Sequence, residues 1–382
     1  IAEENRAVRN WESEAEDIHS VVKVSPPDSP ESSASNQSRG TCTVTSTADS
    51  GAGTLRECLT SPTAGDVILF DPGVFPPATP QTIYLVNNLP GIYQNNLTID
   101  ASNAGVILDG SAISGDAYGL VIWGAEGVSI NGLQILNFTL GILIGNGAAN
   151  NIIGGDRTVG TGPIGQGNLI SANSDIGIFL QGEGTSYNTI LGNLIGTNQT
   201  GLGALGNGYA GIAITGSASQ NVIGGSHSPG VCDGACNLVS GNEVGIQIQN
   251  VNTQGNQVKG NFIGTNLNGN SSVSNSIAGI IIWDAPENQV GGAGSPGVCD
   301  GPCNLISGNG QEGIVIQGSE ADDNRVLGNF IGTDASGIAS LANHAGLILS
   351  DVSGSQIGGA GSGEGNLISG NEDTGLWITS GA

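Results

Sequence analysis

The cysteines are the residues whose spacing implies chemistry most directly. Cys232-Asp-Gly-Ala-Cys236 and Cys299-Asp-Gly-Pro-Cys303 lie in equivalent loops, two turns of an internal repeat apart. In a parallel β-structure two turns span about 9.6 Å, whereas a disulfide requires Cα atoms within about 7 Å. We therefore expect one disulfide within each loop. The same separation disfavours a shared four-cysteine zinc site, in which each metal–sulfur bond is about 2.3 Å long.

Carboxylates could supply acid–base chemistry, which requires two of them held in one cleft. Asp322-Asp323 is the only pair of adjacent aspartates, and neighbours on a strand would face opposite sides. We predict a solvated turn there. Asp100 and Asp109 end short strands, and we predict that they cap turns. No two carboxylates form a convincing acid–base pair, so we expect no catalytic residue and no metal site.

The strongly negative charge of the chain disfavours several classes of binding partner. The chain carries a net charge of −25, and residues 41–382 contain 25 acidic side chains against four basic ones, Arg56, Arg157, Lys259 and Arg325. Such a surface repels nucleic acid, anionic lipid and, unless divalent metal bridges the charges, polyuronates. His227 and His344 are single loop residues without an equivalent in other repeats. We expect no cofactor, and the residues give Ca²⁺ no support.

Composition and an internal repeat indicate the fold. The 382 residues include 66 Gly and no Met, which favours an all-β array with frequent turns. Gly-Ile-x-Ile recurs loosely from Gly141 to Gly375, and a series of Asn from Asn151 to Asn324 marks the start of each unit. Alternate units carry different loops, so the repeat is doubled at about 68 residues. Three short strands per unit predict one coil of a parallel β-helix.

The repeated residue types suit that geometry. Coils stack at about 4.8 Å, so equivalent residues form ladders along the axis. Ile and Val would fill the interior, while stacked Asn side chains would bond to one another and to the turns. We predict roughly ten coils over residues 41–382. Within this range we expect a cap over 41–80, short coils over 81–140 and repeats of about 34 residues over 141–382.

The motifs resemble those of bacterial right-handed parallel β-helix repeat proteins, within the pectin-lyase-like superfamily. Asn-Val-Ile-Gly-Gly at 221–225, Asn-Leu-Val-Ser-Gly-Asn at 237–242 and Gly-Asn-Phe-Ile-Gly-Thr at 260–265 carry the resemblance. Residues 43–58 resemble the N-terminal cap of those proteins, in which a strand leads into a short helix with a Leu-Arg-Glu core. The resemblance implies a right-handed solenoid with a cap helix, stapled to its strand by a Cys42–Cys58 disulfide.

The same superfamily contains lyases, hydrolases, epimerases, adhesins and inert spacers, so the resemblance implies no single function. Its lyases use acidic Ca²⁺ ligands with an Arg or Lys base, and its polygalacturonases use clustered Asp with a His and an Arg–Lys pair. Neither pattern can be placed on this sequence, because Arg157, Lys259 and Arg325 occupy different slots of the repeat. We expect a protein that is not an enzyme, with a polysaccharide-active lyase or hydrolase as the alternative.

One outward-facing row, which we call the apolar stripe, is unusual. In Gly-Ile-x-Ile the flanking aliphatic residues point inward and the residue between them points outward. All but one of these outward residues are apolar: Val121, Leu143, Phe179, Ala213, Gln247, Ile281, Val315, Ile348 and Trp377. Such a row suggests a cover, either a neighbouring copy or the chain's own N-terminal segment. The alternative is simple strand preference in a tolerant fold.

The two ends of the chain differ from the repeats. Residues 1–40 are a predicted extension with a Pro/Ser-rich linker and one strand that contains Val21, Val22 and Val24. A lone strand on a linker suits strand addition to another subunit, and a disordered tether is the alternative. The last coil, at 376–382, has no polar cap. Either the chain continues or this end stacks on another molecule.

These expectations favour a non-catalytic structural or adhesive protein. Six cysteines in a Gly-rich, acidic chain suit an oxidising compartment, so we expect a secreted or cell-surface location. The expected partners are other copies, assembled into a fibre or surface layer through the stripe, the N-terminal strand and the open C-terminal end. A cell-surface glycan is a second expected partner, and a passive stalk is a further functional alternative. No stretch approaches the length of a membrane span, so no membrane insertion is expected.

Overall fold

The computed structural model describes residues 40–379, and its chain coils through three parallel sheets. Sheet A contains β1 (Thr41–Val44), β2 (Val67–Phe70), β4 (Thr98–Asp100), β7 (Ser129–Asn131), β10 (Ile152–Gly154), β13 (Thr189–Leu191), β16 (Val222–Ile223), β19 (Gln257–Val258), β22 (Gln289–Gly291), β25 (Arg325–Leu327) and β28 (Gln356–Ile357). Sheet B contains β3 (Gln81–Tyr84), β5 (Val106–Asp109), β8 (Leu133–Leu136), β11 (Leu169–Ser171), β14 (Leu194–Ile195), β17 (Asn237–Val239), β20 (Asn261–Ile263), β23 (Leu305–Ile306), β26 (Phe330–Ile331) and β29 (Leu367–Ile368). Sheet C contains β6 (Tyr118–Trp123), β9 (Leu140–Gly145), β12 (Ile176–Gln181), β15 (Ala210–Thr215), β18 (Val244–Gln249), β21 (Ala278–Trp283), β24 (Glu312–Gln317), β27 (Ala345–Ser350) and β30 (Thr374–Ile378).

From β4 onward each coil contributes one strand to each sheet, and the nine strands of sheet C mark nine complete coils among the described residues. The fold is a right-handed parallel β-helix, so the predicted fold class is confirmed. Interior side chains stack in register: Ile178 of β12 pairs with Ile142 of β9 and Ile212 of β15. All three are fully buried in one continuous apolar core. The Gly-Ile-x-Ile motif therefore recurs once per coil, and each copy places an aliphatic side chain in this ladder.

Asparagine ladders run along the corners, as the sequence predicted. Asn193 Nδ2 donates to Asn237 Oδ1 at 3.1 Å, and Asn237 Nδ2 donates to Asn261 Oδ1 at 2.9 Å. Each rung also bonds backbone, because Asn237 Nδ2 donates to the carbonyl of Ile190 at 2.8 Å. These side chains are fully buried, where an unbonded amide would be costly. The ladders give these buried amides, and the backbone groups they contact, hydrogen-bond partners within the protein.

A strand and a short helix open the described chain. Helix α1 (Leu55–Thr60) begins after Thr54, whose hydroxyl accepts from the backbone N–H of Glu57 at 3.2 Å. Glu57 in turn accepts from the N–H of Gly53, the residue before the N-cap. Cys42 of β1 is disulfide-bonded to Cys58 of α1. The predicted staple between strand and helix is confirmed.

A second apolar cluster lies on the outer face of sheet B. Leu238, Phe262 and Leu305 pair in register there and are fully buried. They pack with all four cysteines of the two Cys-x-x-x-Cys loops, Cys232, Cys236, Cys299 and Cys303, which are also buried. The Cys232–Cys236 and Cys299–Cys303 disulfides confirm pairing within each loop. The loops thus form a covering layer that encloses apolar side chains on both faces of this sheet.

Candidate functional site

Many aspartates among the described residues accept hydrogen bonds from turns. Asp100 and Asp109, which end β4 and β5, each accept a backbone N–H two residues on, at 2.8 Å, as predicted. Asp322-Asp323 lies at a turn, again as predicted, and Asp322 accepts the N–H of Ser353 at 2.7 Å. The aspartates that accept backbone N–H groups in this way include Asp66, Asp71, Asp156, Asp233, Asp284, Asp300 and Asp334.

Hydrogen bonding shifts the acidity of these turn carboxylates. The pKa of Asp300 lies below its ordinary value because the backbone N–H and hydroxyl of Ser295 donate to it. The pKa of Asp334 is also lowered. Burial alone would raise it, but bonds from Ser336, Ala339 and Ile338 outweigh that effect. These carboxylates are held ionised as turn caps.

An open groove of about 360 Å³ lies beside the first coils. Ser111, Asn137, Thr139 and Ser174 are among its lining residues. Asp175 follows Ser174 and is the one described aspartate whose pKa is raised, by burial. A carboxyl group with a raised pKa can act as a general acid. Asp175 lies next to the groove in sequence and is not itself among the lining residues. No sequence pattern indicated this groove.

The apolar stripe follows one register along the outside of sheet C. Successive members pair directly, for example Leu143 with Phe179 and Ile281 with Val315. None of these four belongs to either apolar cluster, so their outward direction agrees with the alternation of the strands. The remaining members continue the same register: Val121, Ala213, Gln247, Ile348 and Trp377.

Most of the stripe is nevertheless shielded from solvent. Leu143 is 0% exposed and Val315 is 2% exposed. The polar member, Gln247, is also buried, and it bonds to the hydroxyl of Tyr209 and to Gln249. Near the C-terminal end Ile348 and Trp377 are partly exposed. Val21, Val22 and Val24, which were also predicted to contact a partner, lie outside the described residues. The same holds for residues 1–39 of the predicted extension.

The last described coil is more open than the others. Leu376 and Ile378 of β30 continue the interior ladder of Leu347 and Leu349. They are 42% and 56% exposed, whereas Leu347 is fully buried. Apolar side chains that are interior elsewhere are thus accessible here.

The Cys-x-x-x-Cys loops are each held by a side chain from two coils earlier. The guanidinium of Arg157 donates to the carbonyl oxygens of Cys232 and Cys236. Burial lowers the pKa of Arg157 to about 10, against the opposing charges of Asp233 and Asp156. His227 was expected to have no equivalent in other repeats, and Arg157 is the residue at the corresponding position of the preceding unit. Both residues follow a Gly-Gly pair by two positions, and His227 holds the later loop.

The chain is similar to several known proteins. A family model described as the periplasmic copper-binding protein NosD matches residues 79–227. The alginate lyase from Paenibacillus sp. str. FPU-7 is similar in structure, at 16% identity and a TM-score of 0.48, over 89% of this chain and 98% of that one. The A-module of the mannuronan C-5 epimerase AlgE4 from Azotobacter vinelandii is also similar, at 12% identity and a TM-score of 0.45, over 83% and 82%. No curated protein matches the sequence.

The description of the matched family model names copper as a ligand. The side chains of this chain that could coordinate a metal do not fit a copper site. Copper sites in proteins are built from His, Cys and Met ligands. The chain has no Met, and each of its six cysteines is in a disulfide. Between residues 40 and 379, no three His, Cys, Asp or Glu side chains converge as a metal site would require. His227, which lies within the match, has carbonyl oxygens beside both ring nitrogens.

Within the described part of the chain, no helix has the length and apolar character needed to cross a membrane.

Proposed function

We propose that this chain is a non-catalytic structural or adhesive β-solenoid that acts outside the cytoplasm. The observation that carries the proposal is the use of the acidic side chains. Turn-capping aspartates such as Asp109 and Asp300 accept hydrogen bonds from backbone N–H groups, with 2.8 Å between nitrogen and Oδ1 in both cases. A catalytic pair needs carboxyl groups that converge on a substrate, whereas these point into their own turns.

The remaining architecture suits a scaffold. The Asn ladders and the core ladders are continuous along the solenoid, so stiffness is built into every coil. Three disulfides tie the cap and the covering loops and support a location in an oxidising compartment. The periplasmic description of the matched family model supports a location outside the cytoplasm as well.

Other copies of the chain are the partners that we propose, with contact at the C-terminal part of the stripe. Ile348 and Trp377 are partly exposed there, next to the exposed Leu376 and Ile378. Apolar side chains gathered in this way favour burial against another surface, at about 25 cal/mol per Å².

Sedimentation velocity over a hundredfold range of concentration, with negative-stain electron microscopy, tests this assignment. We expect larger species at higher concentration and elongated particles. Trp377→Ser should weaken the association at least tenfold. Ile338→Ser is the matched control, because Ile338 is 89% exposed on a loop and outside the stripe. A chain that stays monomeric throughout refutes self-assembly and leaves the passive stalk or a glycan partner.

The groove favours a second candidate function, a polysaccharide-active enzyme. Asp175 has a raised pKa caused by burial and follows Ser174, which lines the groove. In that case Asp175 would act as the general acid, and product formation would depend on it. Loss of an observed activity in Asp175→Asn would support this candidate over the scaffold.

A further inference from the structure

The groove beside the first coils is lined by groups that form hydrogen bonds with hydroxyl groups. Its volume is about 360 Å³, and polar side chains reach it from three successive coils, Ser111 from the first, Asn137 and Thr139 from the second and Ser174 from the third. Each of them carries a hydroxyl or an amide, which can both donate and accept. Ile113 supplies part of an apolar lining. Sites for small ligands in proteins combine a few such polar groups with apolar walls, in volumes of about 300–1,000 Å³.

A carboxylate holds the polar wall of the groove in place. Asp109 Oδ2 accepts from Nδ2 of Asn137 at 2.8 Å, and Asp109 Oδ1 accepts from the N–H of Ser111 at 2.8 Å. Both partners line the groove. The bond to Asn137 fixes the orientation of its amide, so the donor and the acceptor of that side chain are set before a ligand arrives.

An exposed aromatic ring lies next to this wall. Tyr84 of β3 is the register partner of Asp109 of β5, and adjacent strands are about 4.8 Å apart. Both side chains point outward, because Ile83 and Leu108 take the buried side of their strands. Tyr84 is 59% exposed. A tyrosine ring offers a flat apolar face beside a polar hydroxyl, which suits the C–H face of a sugar ring with its hydroxyl groups at the rim.

The charge around the groove is negative. Asp116 lies between two lining residues, Gly115 and Ala117. Burial and, to a smaller extent, the charge of Asp116 raise the pKa of Tyr118 in the strand that follows. No Lys or Arg of the described chain is among the lining residues. A carboxylate-bearing polymer meets like charge at this surface, whereas an uncharged polymer does not.

We propose that the groove binds an uncharged polysaccharide and excludes polyuronates. Tyr84 stacks on one sugar ring, while Ser111 and Asn137 form hydrogen bonds with the hydroxyl groups of the neighbouring ring. The inference rests on the adhesive form of the proposed function, since it names the glycan that the solenoid holds. It requires neither self-assembly nor catalysis.

Affinity electrophoresis and titration calorimetry of the full chain test this proposal. The uncharged probes are a soluble β-1,3-glucan, dextran and galactomannan, and the charged probes are polygalacturonate and alginate, all with a chelator so that no divalent metal bridges the charges. We expect binding of at least one uncharged probe and no binding of either polyuronate. Failure of all three uncharged probes overturns the proposal, and so does equal binding of a polyuronate.

Two exposed tyrosines provide matched variants. Tyr84→Ala should weaken the affinity about tenfold, as expected for the loss of an aromatic anchor. Tyr187→Ala is the control, because Tyr187 is 60% exposed and lies between β12 and β13, at a different corner of the coil. Asp116→Lys should give the chain a retention by polygalacturonate that the wild type lacks. Equal losses of affinity in the two tyrosine variants overturn the proposal.

Sedimentation velocity on the same samples separates this proposal from self-assembly. A chain that stays monomeric and binds an uncharged probe refutes self-assembly and supports the groove as the glycan site. A chain that assembles and binds none of the probes overturns the groove proposal and leaves self-assembly standing.

Discussion

Removal of one rung of an asparagine ladder gives the sharpest test of how the solenoid is held together. Asn237 is fully buried and makes four hydrogen bonds. Its Oδ1 accepts from the backbone N–H and from Nδ2 of Asn193, at 2.9 and 3.1 Å. Its Nδ2 donates to Ile190 and to Asn261, at 2.8 and 2.9 Å. Asn237→Ala removes all four bonds and leaves the partner groups in place.

The magnitude follows from the groups that lose their partner. The carbonyl of Ile190 still accepts from Gly224, and Asn193 Nδ2 still donates to Ile153. The N–H of Asn193 and Oδ1 of Asn261 are the two groups that lose their hydrogen-bond partner. Each buried group without a partner costs about 1–3 kcal/mol. We therefore expect Asn237→Ala to lower the free energy of unfolding by about 2–5 kcal/mol.

Urea denaturation combined with hydrogen exchange measures this loss, because a repeat array can open locally before it unfolds as a whole. Amides of β14, β17 and β20 should lose protection more than those of distant coils. Asn268→Ala is the matched control, since Asn268 is exposed in a loop, and it should change stability by less than about 0.5 kcal/mol. Equal effects of the two substitutions would refute the reasoning.

Three further outcomes follow from the structure. Replacement of Cys42 and Cys58 by Ala should lower the free energy of unfolding, measured with denaturant, by about 3 kcal/mol, because the disulfide closes a loop with a sequence separation of 16. A loss below about 1 kcal/mol would contradict that estimate. Arg157→Gln should speed reduction of Cys232–Cys236 with little effect on Cys299–Cys303, and equal acceleration of both would contradict a specific role of Arg157 in holding the first loop. Asp175→Asn should raise the melting temperature at pH 7. Burial raises the pKa of Asp175, so its ionised carboxylate destabilises the folded chain, and this loss of stability appears as the pH rises above the ordinary pKa of an aspartate. A melting temperature that is unchanged, or lower, would contradict this sign.

The repeat made the coil predictable from sequence. Gly-Ile-x-Ile and the Asn series recur at the length of one coil, so they predicted both the inner ladder through Ile178 and the Asn rungs. The loop disulfides were predictable from the axial rise, because two coils separate Cys236 from Cys303. Periodicity carries this information because each coil contacts mainly its neighbours.

Contacts between loops were not predictable in the same way. The second apolar cluster left one signal, since Leu238 and Val239 are adjacent and both apolar, which is typical of a strand covered on both faces. The contacts of Arg157 and His227 with the cysteine loops left a weaker signal in the sequence. Arg157 and His227 share a slot but differ in residue type, and each reaches a loop more than 70 residues later. The groove forms from turns that are not repeated, so no periodicity pointed to it.

The most direct test of the central claim, that the carboxylates serve turns and not catalysis, is a product assay on polysaccharides. The full chain is incubated with alginate, polygalacturonate and a neutral glucan, with and without Ca²⁺, and new reducing ends and unsaturated uronates are measured beside an active lyase as a positive control. We predict no product above the buffer blank. Product that the wild-type chain forms and Asp175→Asn does not would contradict the account.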